Sequence, residues 1–316
     1  MHVHTDTTLS SITVRLFKYV RPERTDILEN LCIRFTQASE LNDPFEQLLN
    51  VSTLMTESQY QNVLHPLLTH PQLQGIFNDF PSYVIEENFP ILTKAERQRI
   101  QKFVTSPDLD ILLNALADPD ALPKLTIKQP DLSSNLKNNL NTRFGILSLT
   151  TRNDNLTMWS HYTLDHKGFV IELSPQSQIF QNTEAKIKLL RTVQKVSYRR
   201  HRPYATLLDA LDSNNGDGFT NLLKKTFLTK SLDWKYEQEM RMMSALTDEG
   251  VREIYPGIFI RDLRPSSILN IFFGVNSDSV LKNKVMSIIA HPKLSHVGVF
   301  QGLLHEEEYK VIFERI

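Results

Sequence analysis

The spacing of apolar residues divides the chain into two textures. Residues 12–20 (ITVRLFKYV) are β-branched and aromatic, and predict a strand ending at Arg21-Pro22. A short helix over Asp26 to Asn30 and a strand over Cys32 to Thr36 are expected next. Asn42-Asp43-Pro44 marks a turn opening a helix, with Pro44 suited to the first helical position. From about 46 to 143 the period becomes helical, with segments at 57–69, 94–104, 107–117 and 131–143 separated by prolines. Leu109, Leu112, Leu113 and Leu116 there have the i, i+3, i+4, i+7 spacing of a helix face. Strand patterns then dominate, at 144–150, 168–173, 193–198, 237–245, 257–261, 267–274, 296–300 and 309–316. Helices are expected over 155–164, 203–212, 218–229 and 277–290. Strands and helices do not alternate regularly, which predicts an α+β fold: a β-rich body (1–45 and 144–316) carrying a helical insertion (46–143).

Composition narrows the function classes. The 316 residues hold 35 Lys+Arg against 36 Asp+Glu, a formal charge of −1, so there is no general basic surface for phosphate backbones and nucleic acid is not an expected partner. Only 10 residues are glycine, and neither G-x-G-x-x-G nor G-x-x-x-x-G-K-[ST] occurs, against a Rossmann dehydrogenase or P-loop NTPase. Cys32 is the single cysteine, which rules out an intramolecular disulfide and argues against a cysteine-rich zinc site. No metal motif appears: His161 and His166 lack H-E-x-x-H spacing, and Asp212 to Gly218 (DSNNGDG) has misplaced glycines for a calcium loop and reads as a surface turn. No G-x-S-x-G elbow surrounds Ser148. The N-terminus does not read as a signal peptide, and no apolar run reaches the roughly 20 residues of a membrane-spanning helix, so a soluble protein of a reducing compartment is expected.

Four clusters could carry chemistry. In Trp234-Lys235-Tyr236-Glu237-Gln238-Glu239-Met240-Arg241, a strand would put Glu237, Glu239 and Arg241 on one face. Two carboxylates so close repel unless a cation or ligand offsets them; Arg241 could be that cation, or the run is a solvated strand with an ion pair. Met158-Trp159-Ser160-His161-Tyr162, followed by His166-Lys167-Gly168, reads as an aromatic helix face: a core element, or a wall for a planar ring. Lys18-Tyr19-Val20-Arg21 ends the first strand with cations that could grip a phosphate or snorkel. Ser148 and Thr150 place two hydroxyls on one face of a strand.

As an ordered set these segments resemble a family of bacterial proteins classed as a domain of unknown function. Its pattern is Y-K-Y-R, N-D-P-F-E, S-L-[ST], M-W-x-H-Y, H-x-G and W-x-Y-E-x-E-x-R. The counterparts here are Phe17 to Arg21, Asn42 to Glu46, Ser148 to Thr150, Met158 to Tyr162, His166 to Gly168 and Trp234 to Arg241, with Val20 intervening before Arg21. The order of basic residue, Ser-x-Thr and Glu-x-Glu also resembles the R-S-E arrangement of mono-ADP-ribosyltransferases. That resemblance implies two small packed β-sheets around an NAD cleft and transfer of ADP-ribose from NAD to a protein side chain, arginine by analogy, with release of nicotinamide. Glu239 would be the catalytic glutamate on the ribose, Glu237 would orient the acceptor and Ser148 would support Glu239. Arg21, Arg15 or Lys18 would hold the diphosphate, with Tyr19, Thr150, Trp159, His161, Tyr162 and Arg241 also at the NAD site. NAD is then a substrate, no metal is needed, and the partner is a protein acceptor such as a host enzyme.

A hydrolase using the two glutamates on a glycosidic bond, or a non-catalytic binding module, are the alternatives. Glu306-Glu307-Glu308 before an apolar tail resembles the C-terminal signals of type IV secretion effectors, implying synthesis in a bacterial cytoplasm and delivery into a host cell. The plainer reading is an acidic turn before a last strand, Tyr309 to Ile316.

Overall fold

β3 (Phe144–Thr150) and β8 (Glu239–Ala245) pair antiparallel along their whole length, from Phe144 opposite Ala245 to Thr150 opposite Glu239. They form the spine of a computed structural model that describes residues 14–45, 140–181, 185, 187–205 and 218–316. Because side chains alternate along a strand, this pair separates two environments. Leu147, Leu149 and Met242 enter one core layer, whereas Phe144, Ile146, Met243 and Ala245 enter another. Ser148, Thr150, Glu239 and Arg241 continue the second face as a polar strip.

The other edge of β3 is shared by two strands. Gly145 and Ile146 pair with β2 (Cys32–Gln37), and Thr150 pairs with Phe17 of β1 (Leu16–Val20). Ser148 lies between these attachment points. The sheet therefore forks. One arm runs β1, β4 (Phe169–Leu173), β11 (Ile268–Phe273), β12 (Gly298–Leu304), β13 (Val311–Arg315). The other runs β2, β10 (Ile258–Asp262), β9 (Val251–Tyr255). β5 (Gln194–Lys195) extends β8, completing an 11-stranded sheet, and β6 (Ser197–Arg199) with β7 (Thr229–Ser231) forms a separate parallel pair. The fold is α+β: among the described residues one large hydrogen-bonded sheet divides at β3, and the β6–β7 pair stands apart from it.

Four α-helices among the described residues pack on it. α1 (Asp26–Glu29) bridges β1 and β2 and buries Ile27 and Leu28. α2 (Leu156–Tyr162) buries Trp159 beside Tyr19, their rings 5.3 Å apart edge to face. α3 (Gly218–Phe227) places Leu223 and Phe227 against Phe144 and Met243. α4 (Ser279–Ile289) is the crossover that a parallel β11–β12 pair requires; it is capped by Asp278 and buries Leu281, Val285 and Ile289. Gly168 has a steric reason to be glycine, since a Cβ there would lie 2.1 Å from the Val20 carbonyl oxygen.

The helical insertion expected over 46–143 lies outside the described residues except for 140–143, where Leu140 is buried. So do most of the helix expected over 203–212 and all but the last residue of the Asp212 to Gly218 turn. The acidic run 306–308 is an exposed bend before β13. No helix among the described residues is long and apolar enough to cross a membrane.

Candidate active site

The Trp234 to Arg241 run is not a continuous strand. Leu232–Glu237 forms a 3-10 helix, Gln238 turns through the left-handed region at φ 46°, and only then does β8 begin at Glu239. The two glutamates nevertheless meet: Glu237 ends the helix pointing inward, and Glu239 enters the strip shared with Ser148, Thr150 and Arg241.

Four charged side chains, each 5% exposed or less, form the centre: Lys230, Glu237, Glu239 and Arg241. Arg241 grips Glu239 with two parallel bonds, Nε to Oε1 at 2.8 Å and Nη2 to Oε2 at 2.9 Å, and its Nη1 donates to the Phe227 carbonyl at 2.6 Å. Lys230 Nζ donates to Glu237 Oε2 at 2.8 Å and reaches Glu239 Oε2 at 3.4 Å. The Tyr162 hydroxyl donates to Glu237 Oε1, Asn42 Nδ2 donates to the Tyr162 oxygen at 2.8 Å, and the Ser148 hydroxyl helps to hold the Glu239 carboxyl low. The backbone is fastened too. Thr150 Oγ1 donates to the Glu237 carbonyl at 2.6 Å, Asn155 Nδ2 to the Tyr236 carbonyl at 2.8 Å, and the Glu239 N–H to the Tyr198 oxygen at 2.7 Å.

The environment drives the two carboxyls apart. Burial pushes Glu239 up, but the Arg241 and Lys230 charges and the hydrogen bonds from Arg241 and Ser148 outweigh it and hold the group at about 2. For Glu237 burial wins: its carboxyl is raised despite Lys230 and Tyr162, with the Glu239 charge adding to the rise. One carboxylate is locked ionised and its neighbour is moved toward neutrality, the separation that lets a pair take different roles. A buried ion network is weak evidence for stability, because desolvation consumes most of its Coulomb energy. Its position on a cleft is a stronger argument for chemistry.

That cleft opens where the sheet forks. It encloses about 590 Å³, inside the roughly 300–1,000 Å³ of small-molecule sites. Among the described residues, six basic side chains (Lys18, Arg21, Arg24, Arg34, Lys230 and Arg241) and four carboxylates line it, an excess of positive groups. Lys18 fills the fork itself, donating to the Ser148 carbonyl at 2.9 Å. Burial lowers its ammonium to about 8, with Glu239 opposing the fall and Arg24 adding to it. Arg34 contributes a buried Nε without a hydrogen-bond partner. No group of three or more His, Cys, Asp or Glu among the described residues could hold a metal.

Of the residues singled out from the sequence, Lys18, Tyr19, Arg21, Ser148, Thr150, Tyr162, Glu237, Glu239 and Arg241 line this cleft. Arg21 stands exposed at its mouth, 4.0 Å from Glu23. Trp159 is fully buried in an aromatic core with Tyr19 and Phe272, and His161 is exposed, its Nδ1 3.2 Å from the Tyr236 hydroxyl; neither lines the cleft. Arg15 is paired with Glu172 at 2.6 Å, away from the fork. Cys32 is half-buried and its thiol is raised by burial.

Residues 158–242 match a protein family described as "Protein of unknown function (DUF2971)". The matched stretch contains Tyr162, Tyr198, Lys230, both glutamates and Arg241, so it carries most of the network but not β1, β2 or β3. No curated protein and no solved structure matches the chain.

Sequence reasoning missed Lys230, Tyr198, Asn42 and Arg34. Lys230 sits in Thr229-Lys230-Ser231, where nothing in the local pattern distinguishes it from a solvated lysine. Asn42 belongs to the N-D-P-F-E segment, and its role shows only when that turn meets α2.

Proposed function

We propose that this cleft binds NAD and cleaves its nicotinamide–ribose bond, passing ADP-ribose to a protein side chain. The observation that carries the reading is the convergence of separate sequence segments on one network. Asn42, Ser148, Tyr162, Glu237, Glu239 and Arg241 come from four distant stretches and close around a cleft with an excess of positive groups among its described residues. Support also comes from the motif order resembling the R-S-E transferases.

Departure of nicotinamide leaves an oxocarbenium-like ribose, as in glycoside cleavage. Glu239, ionised throughout the neutral range, supplies a fixed negative charge that stabilises the cation more than the ground state. Arg241 and Lys230 occupy its acceptor sites. The 3.4 Å contact from Lys230 is longer than the two from Arg241, and is the one a ribose hydroxyl would replace. Glu237, with its raised carboxyl and its bonds from Tyr162 and Lys230, would position the acceptor and take its proton. Lys18 and Arg34 reach the cleft from β1 and β2 and would face the diphosphate. The acceptor is a protein, with arginine favoured by the Glu-x-Glu resemblance; type IV delivery into a host cell rests on the acidic run at 306–308 alone.

The test is transfer of labelled ADP-ribose from NAD to proteins of a eukaryotic lysate. Label on a discrete band with wild type, lost in Glu239→Gln, is expected. Glu237→Gln should lose protein labelling while keeping some NAD hydrolysis; equal loss of both would remove the division of labour. Nicotinamide release without label in any acceptor extract would instead identify a hydrolase.

A further inference from the structure

Among the described residues the sheet ends at β13, which pairs with β12 on one side only. The Ile316 N–H donates to the Val299 carbonyl and the Lys310 carbonyl accepts from the His305 N–H, so the even-numbered residues of this strand bond toward β12. Antiparallel bonding alternates, which turns the N–H and C=O groups of Val311, Phe313 and Arg315 outward. No described strand pairs with them. Natural edges are blunted by a proline, a bulge or an inward-pointing charge. β13 has no proline, and its register with β12 runs without a shift. Apolar side chains are exposed along the same edge: Tyr309 is 100% exposed, Leu304 68%, Ile316 58% and Ile312 36%.

The run Lys310-Val311-Ile312-Phe313-Glu314 is complementary to its own reverse. Laid antiparallel on a second copy with Ile312 opposite Ile312, it sets each Lys310 opposite a Glu314 and each Val311 opposite a Phe313. Residues an even number apart share a face, so two ion pairs flank the isoleucine contact on one face of the sheet. The same register brings Tyr309 opposite Arg315, ring against guanidinium. It suits the backbone too, because Val311 and Phe313 are residues whose N–H and C=O groups point outward and would exchange bonds across the axis. Neighbouring registers are poorer. Centring on Phe313 sets Ile312 against Glu314, and centring on Val311 sets Glu308 against Glu314.

We infer that β13 pairs antiparallel with β13 of a second copy of this chain, giving a two-fold dimer with one continuous sheet. The axis passes through Ile312 perpendicular to the sheet, so every contact is made twice. Lys310 is paired with Glu308 of its own turn, and both are exposed, so exchanging that partner for Glu314 of the second copy costs little. One strand and its flanks make a contact at the small end of specific interfaces, which places the affinity on the order of 10 μM.

The inference is independent of NAD chemistry, and its test contains no NAD. Sedimentation of the full chain at about 100 μM should give twice the mass of one chain. Lys310→Glu turns both ion pairs into like-charge pairs and should raise the dissociation constant about tenfold or more. Lys310→Glu/Glu314→Lys makes every pair opposite again and should recover the dimer. Both side chains are exposed, so these variants should fold, and a matching thermal melt checks that they do. The register is read by oxidation. Ile312→Cys would put two thiols on residues about 4.5 Å apart at Cα, within disulfide reach, and should cross-link. Glu314→Cys would hold them roughly 13 Å apart and should not; wild type, with Cys32 alone, is the control. A monomer at this concentration would overturn the inference and leave the edge to a strand of a different protein. A dimer that Lys310→Glu leaves intact, or that the charge exchange fails to restore, would overturn it as well.

Discussion

Glu239 and Glu237 are two residues apart, and their chemistry differs because their partners differ. Glu239 has a depressed carboxyl, so it contributes stability that is complete above the unfolded value near 4.3 and is lost as pH falls toward about 2. The contribution is on the order of 3 kcal/mol. Glu239→Gln strands Arg241 in the interior and should cost about 3–5 kcal/mol by denaturant melt. Glu237 has a raised carboxyl and gains stability as pH falls through its folded value, so its ionised form is a burden at neutral pH. Glu237→Gln should therefore cost clearly less than Glu239→Gln at pH 7.5; equal costs would mean the two environments are alike. Lys18, lowered to about 8, would make the proposed NAD binding pH-dependent. NAD affinity by calorimetry should decline as pH rises through 8, and Lys18→Met should flatten that decline. Away from the cleft, Gly168→Ala should cost about 1–3 kcal/mol, because the added Cβ meets the Val20 carbonyl and β1 or β4 must shift.

At the scale of elements, the site depends on a turn at Gln238. Its left-handed backbone lets a 3-10 helix end at one glutamate and a strand begin at the next. Gln238→Val should cost about 1–2 kcal/mol and reduce activity in parallel, whereas Gln238→Gly should retain both. The sequence did not disclose this turn. Trp234 to Arg241 alternates like a strand, and only the pairing of Glu239 with Thr150 sets where β8 starts. Much else was legible. The β-branched and aromatic runs at Leu16–Val20, Phe144–Thr150, Phe169–Leu173 and Ile268–Phe273 are strands buried on both faces, and burial of that kind leaves a continuous apolar signature. β9 was not: Val251–Tyr255 is mostly exposed, carries Arg252 and Glu253 at its centre, and among the described residues is an edge strand held by pairing to β10. Trp159 illustrates the reverse. Its place on an aromatic helix face was readable, but whether that face meets a ligand or a core is fixed by Phe272 and Phe313, far along the chain.

For the whole molecule, the cleft exists because two strands share one edge of β3. No local pattern encodes such a fork; it arises from long-range pairing of 36–37 with 145–146 and of 17 with 150. The same holds for Lys230, which reaches both glutamates because the β6–β7 pair packs against the 3-10 helix that ends at Glu237. Residues that line the cleft were thus recognisable by type and order, while the cation that joins the two glutamates and the volume they enclose were not. The fork also divides the labour proposed here, with Lys18 and Arg34 on its two arms and the glutamates at its root. The most direct measurement is nicotinamide release from NAD by the purified chain, comparing wild type with Glu239→Gln after both are shown to be folded. The account predicts catalytic release by wild type, stimulated by an acceptor extract and reduced at least 100-fold in the variant, on the order of one lost charge-stabilising group. Release at the same rate in both, or none from folded wild type with acceptor present, would contradict it.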